Sequence, residues 1–119
     1  MDEMKAIAAF SALAHPKRLR VFRALVGMFP EALPAGETAR LCDAPHNTMS
    51  AHLAVLTRAG LVTAARESRS ILYRVDLDGF REVVAFLAKD CCQGRPEICA
   101  PLLAANAISC DCATELPRD

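Results

Sequence analysis

The hydrophobic pattern changes period at Gly60, and that change restricts what the chain can fold into. Before it, Met49, Leu53 and Leu56 recur on one side of a helix expected from about His46 to Ala59. Gly60 itself suits a left-handed helix stop. After it, Leu61 to Arg66 and Ser70 to Val75 read as two strands around the polar tip Glu67-Ser68-Arg69, with Ile71, Tyr73 and Val75 alternating on one face.

The elements upstream complete a recognisable order. Ile7, Phe10, Leu13 and Ala14 give a short first helix, and Pro16 opens a second whose stripe is Leu19, Phe22, Leu25 and Val26. Pro30 and Pro34 bracket a loop. A third short helix is expected over Gly36 to Cys42, turning Ala39 and Leu41 inward, before Asp43-Ala44-Pro45 breaks the chain. After the hairpin, Asp76 or Asp78 caps a last helix with the stripe Phe80, Val83, Val84 and Leu87, stopped by Gly94 and Pro96. The expected fold is mainly α with a β-hairpin wing: short helix, tight turn, helix and hairpin are the layout of a winged helix-turn-helix. Residues 1–90 would form that domain, and 91–119 a cysteine-containing segment and tail.

The 119 residues carry 53% hydrophobic side chains, enough for one folded domain with a modest core. No apolar stretch is long enough to cross a bilayer and Met1-Asp2-Glu3-Met4-Lys5 has no secretory-signal character, so a cytoplasmic setting with reduced thiols is expected. Net charge is zero, but it is unevenly spread. Lys5, Lys17, Arg18, Arg20 and Arg23 stand in a stretch with no acid, and Arg58, Arg66, Arg69 and Arg74 face only Glu67 between His46 and Val75. A neutral total therefore conceals a basic face, which a dimer would double.

With Met49, Leu53 and Leu56 turned to the core, the opposite side of their helix offers His46, Asn47, Thr48, Ser50, Ala51 and His52. Asn, Ser and Thr hydrogen-bond base edges or phosphates, and Ala can touch a thymine methyl, so these residues are candidate contacts to double-stranded DNA. The plainer reading is a capping cluster at a helix start. Arg66 and Arg69 on the hairpin tip suit a wing astride the phosphate backbone, although charged turns are also common on ordinary surfaces.

Six cysteines in a reducing compartment read as ligands or redox groups before they read as a disulfide frame. Cys91 and Cys92 are adjacent, with α-carbons about 3.8 Å apart across a trans peptide, which is short for a disulfide's roughly 4.4–6.8 Å. With Cys99 returning through a Gly- and Pro-containing turn, they suit a shared grip on one soft ion. Cys42 reads as a small core-side residue. Cys110 and Cys112 are possible additional ligands.

ALAHPKRLRVFRAL (Ala12 to Leu25), MSAHLAVLTRAGLV (Met49 to Val62) and ILYRV (Ile71 to Val75) resemble the ArsR/SmtB family of metal-sensing repressors over about residues 8–90. The resemblance implies a homodimer through the first and last helices, released from operator DNA by an inducer. The chain departs from the pattern in two places. Gly36 and Thr38 stand where the best-known arsenic sensors carry the cysteines of a Cys-Val-Cys run. The last helix, Asp78 to Asp90, has no histidine for the zinc- or nickel-type site. What remains is similar to an arsenic-responsive subgroup with a cysteine pair and a further cysteine just after that helix, which maps onto Cys91, Cys92 and Cys99.

The donor set agrees with that mapping. Soft thiolates select soft acceptors; trivalent arsenic takes three sulfurs in a pyramid, whereas structural zinc prefers four ligands. As(III) is therefore the expected inducer. Antimonite or a methylated trivalent arsenical are alternatives, as are cadmium, lead or zinc with a fourth donor. A thiol redox switch pairing Cys99 with Cys91 or Cys92 is a rival of another class. An enzyme is not expected, because no cysteine begins a phosphate-binding loop that ends in an arginine.

Overall fold

The computed structural model describes residues 1–91 together with Arg95 and Glu97. Its elements are helices α1 (Glu3–Leu13) and α2 (Pro16–Met28), strand β1 (Leu33–Pro34), helices α3 (Ala35–Cys42) and α4 (His46–Arg58), strands β2 (Val62–Glu67) and β3 (Ser70–Val75), and helix α5 (Leu77–Ala85). Phe86–Cys91 continue as π-helical turns. The chain's contacts divide it after Val83, and the winged unit is the part before that point. No described helix is long and apolar enough to cross a membrane.

Each boundary has a local cause. Asp2 caps α1 by accepting from the Lys5 amide at 2.8 Å, a preferred N-cap chemistry. His15 opens α2 in the same way, its Nδ1 accepting from the Lys17 amide at 3.2 Å ahead of Pro16. Helix α3 stops on Asp43 in the left-handed region (φ 52°), where the Asp43 and Ala44 amides donate to the Arg40 and Ala39 carbonyls. Gly60, at φ 82°, ends the helical run after α4. Of the two acids proposed to cap α5, Asp76 does so: its Oδ1 accepts from the Gly79 amide at 3.0 Å.

The core gathers Ala9 and Ala12 from α1, Val21, Phe22 and Leu25 from α2, Ala39 and Cys42 from α3, and Met49, Leu53 and Leu56 from α4. Leu61, Val62, Val75 and Val83 close it. The α4 stripe is buried as its spacing predicts. The α1 stripe is buried only in part: Phe10 and Leu13 are half-buried and pack against the core beside the fully buried Ala6, Ala9 and Ala12, while Ile7 is 53% exposed and Ala14 lies on the surface. Small residues let α1 approach its neighbours closely, and Met4 and Ile7 are left outside. On α2, Val21 replaces Leu19 and Val26, both of which are exposed, and on α3 Thr38 and Cys42 are buried in place of the exposed Leu41. Thr38 is accommodated because its hydroxyl donates to the Pro34 carbonyl at 3.1 Å.

The sheet has one strand more than the hairpin expected from sequence. β1 lies inside the supposed loop between Pro30 and Pro34 and pairs antiparallel with β3, Leu33 opposite Tyr73 and Pro34 opposite Leu72, giving the order β1-β3-β2. The β2–β3 ladder runs from Val62 opposite Val75 to Glu67 opposite Ser70, leaving a two-residue tip in which Ser68 is left-handed (φ 59°). Of the alternating set on β3, Val75 is buried, Tyr73 half-buried and Ile71 exposed at the outer end. Burial falls off toward the tip, as expected of an arm that leaves the body of the domain.

Candidate nucleic-acid interface

α3, the Asp43-Ala44-Pro45 turn and α4 form the helix-turn-helix, and Arg20 of α2 secures it by donating through Nη1 to the Cys42 carbonyl at 3.3 Å. Met49, Leu53 and Leu56 are completely buried, which fixes the rotation of α4 about its axis. The other flank is therefore presented outward: His46, Asn47, Thr48, Ser50 and Ala51 are exposed and His52 is half-buried.

The capping alternative for this cluster receives little from the geometry. Pro45 occupies the N-cap and supplies no side-chain cap, and Thr48 donates its hydroxyl back to the Pro45 carbonyl at 3.2 Å. Asn47 and Ser50 have no side-chain bond among the described residues, so their polar groups remain available to a ligand. The His46 ring lies beside Gly36, at ordinary contact distance (3.8 Å) from where a Cβ would stand. On this flank the side chains are small and carry no carboxylate, the form needed for a surface that enters a groove.

Positive charge flanks that neutral strip. Arg66 and Arg69, with Arg74 behind them on β3, are exposed on the wing. On the other side, α2 opens with Lys17, Arg18 and Arg20. Two of these serve the fold, since Arg18 Nε donates to the Ala12 carbonyl at 2.7 Å and Arg20 holds the turn. Sequence reasoning did not single out His15, which stands 52° to and 5.0 Å from the His52 ring. Its signal was present in the His15-Pro16 pair at a helix start, but its partner lies 37 positions away. Burial first, and then the positive charges of His15, Arg18 and Lys17, hold the His52 imidazole below the ordinary histidine value.

Cys42 is buried in the core, and burial pushes its thiol above the usual range, against a weaker opposite pull from Arg20. The side chain of Cys91, at the end of the π-helical turns, and Cys92, Cys99, Cys110 and Cys112 lie outside the described residues. Among the described residues no three His, Cys, Asp or Glu side chains are grouped to hold a metal ion.

A core-anchored helix with a small, neutral outer flank, preceded by a tight turn and followed by a basic hairpin, defines a winged helix-turn-helix DNA-binding unit. Residues 13–64 match the family model described as a helix-turn-helix domain. The HTH-type transcriptional regulator YgaV of Escherichia coli (strain K12) is 31% identical over 88 residues, 74% of this chain and 87% of that protein. The transcriptional activator HlyU of Vibrio cholerae is 27% identical over 92 residues, covering 77% of this chain and 82% of HlyU. The solution structure of the homodimeric winged helix-turn-helix DNA-binding domain of Mb0332 from Mycobacterium bovis, a possible ArsR-family regulator, superposes with a TM-score of 0.58 at 26% identity. It covers 70% of this chain and 75% of that one. The chain belongs to the ArsR-type family of helix-turn-helix transcriptional regulators. Its relatives are regulators of transcription and not enzymes.

Proposed function

We propose that the protein is a cytoplasmic, homodimeric repressor that arsenite removes from operator DNA. The DNA-binding part of this reading is carried by the exposed flank of α4. There Asn47 can read an adenine edge, Ala51 a thymine methyl, and His46, Thr48, Ser50 and His52 nearby base or phosphate groups. Arg66 and Arg69 of the wing supply the backbone contacts. Dimer formation is supported by α1, whose outer side carries Met4, 74% exposed, and Ile7, and by the homodimeric state of the Mb0332 domain. Large apolar side chains left outside while alanines fill the core mark a face that a partner covers.

The inducer is read from the sequence, in the grouping of Cys91, Cys92 and Cys99. Arsenite enters as As(OH)₃; three thiols become As–S bonds and three waters leave, so little charge is delivered. Electrostatic expulsion of DNA is then a weak explanation and a conformational one is stronger. Bridging Cys99 to the pair ties the following segment to the end of the last helix and shifts the two reading heads. Moving such an equilibrium from 1:99 to 99:1 takes about 5.5 kcal/mol, within reach of three covalent-like bonds.

Gel retardation tests the reading, using duplex from the promoter upstream of the protein's own gene, with a phosphine reductant in every arm except the one that receives oxidant. Wild type should retard the duplex and lose it on adding arsenite; the Cys91→Ser, Cys92→Ser and Cys99→Ser proteins should retard it equally and keep it. Full arsenite release of the Cys99→Ser protein would remove the clamp. Release by antimonite, a methylated arsenical or a soft divalent ion instead would reassign the inducer. Release by oxidant alone would favour the redox switch.

A further inference from the structure

The start of α2 and the outer flank of α4 enclose an open groove of about 410 Å³, lined by His15, Lys17, Asn47, Thr48, Ala51 and His52. No carboxylate lines it. Arg18 and Arg20 are spent on backbone carbonyls, and the Lys17 ammonium has no ion pair among the described residues. His15 accepts the Lys17 amide through Nδ1, so its neutral ring carries the proton on Nε2 and can donate it. The groove thus holds a cation and two imidazoles, with rings 5.0 Å apart, on the flank that carries Asn47 and Ala51.

We infer that this groove is a phosphate-binding subsite for the operator strand, in which Lys17 and the His15–His52 pair hold one backbone phosphodiester. The inference rests on the DNA-binding reading and deepens it: it adds an anchor on α2, beyond the recognition helix and the wing. The surroundings of His52 bear on how the anchor responds to pH. The charged groups facing it are His15, Lys17 and Arg18, all positive when ionised, and its α4 neighbours along the groove are uncharged. In the free protein these groups favour the neutral ring. A phosphodiester in the groove opposes them, favours the imidazolium and makes DNA binding take up a proton. Affinity therefore rises as pH falls from neutrality toward the lowered value of free His52.

The test measures duplex affinity for the full-length wild type, Lys17→Gln and His52→Gln proteins, across a salt series and from pH 7.5 to about 5.5. Lys17→Gln should weaken operator and scrambled duplex by the same factor and reduce the log–log salt slope by about one. His52→Gln should flatten the pH dependence of duplex binding. Lys17 is exposed and His52 half-buried, and matching thermal melts for the three proteins confirm that the fold is kept. An unchanged salt slope for Lys17→Gln, or an unchanged pH profile for His52→Gln, overturns the subsite while the wild type still binds DNA. Failure of wild type to bind any duplex overturns the DNA reading together with it.

Discussion

At the scale of single residues, burial decides which side chains serve the fold and which serve a ligand. Leu53 is fully enclosed between α4 and the rest of the core, so Leu53→Ala should cost about 2–5 kcal/mol, read as a lowered denaturation midpoint. Cys42 is a chemical control for the other cysteines. Its thiol is held in the protonated form by burial, so in the native protein it should react with a maleimide only as fast as the domain opens. Because its folded-state value is raised, the stability it contributes is intact below the ordinary thiol value. It is lost as pH rises through the folded one. Denaturation midpoints measured on either side of that range should fall at alkaline pH for wild type and fall less for Cys42→Ala. Much of this scale was legible in advance. The Met49-Leu53-Leu56 spacing orients α4 because large residues repeat with the helical period and nothing competes with them. On α1 the same reasoning found Phe10 and Leu13 but missed Ala6, Ala9 and Ala12, which carry too little hydrophobicity to stand out against Ile7 in a sequence, yet fit where two backbones meet.

Between elements, close approach takes over. A Cβ on Gly79 would fall on the Gly60 carbonyl oxygen, so the first turn of α5 packs against the α4–β2 corner with no room for a side chain. Gly79→Ala should cost about 1–3 kcal/mol or more, since the blocking atom belongs to the backbone; a thermal melt would show it, and an unchanged melting temperature would refute the contact. The wing acts in the opposite manner. Arg66 and Arg69 are exposed and touch nothing in the core, so changing both to Gln should leave the melt unaltered. The slope of log affinity against log salt should shrink by about two. The hairpin was visible in its alternation and β1 was not. Leu33-Pro34 is too short to alternate, and a proline on a strand is tolerated only at an edge, which is where β1 lies. The His15–His52 groove escaped notice for a related reason: the fold, not sequence spacing, brings its walls together.

For the molecule as a whole, the proposed function gives the winged unit and the cysteine-containing segment separable tasks. The first presents a neutral reading strip between two positive flanks; the second, by proposal, decides when that strip is engaged. A dimer would repeat the strip, and two half-sites one helical turn apart, roughly 34–36 Å, are the spacing such an arrangement expects. The fold could be inferred from sequence almost entirely because each local pattern agrees with the next. The inducer site rests on donor chemistry, to which hydrophobic periodicity contributes nothing. The reading strip is the foundation of both, and base discrimination by Asn47 probes it most directly. Affinities of wild type and Asn47→Ala would be measured for the operator and for a panel with one base pair changed at a time. Wild type should lose about 1–3 kcal/mol at an adenine position, and Asn47→Ala should lose that preference at this position alone, with its salt slope unchanged. An Asn47→Ala protein that keeps the full wild-type preference at every position would contradict the account.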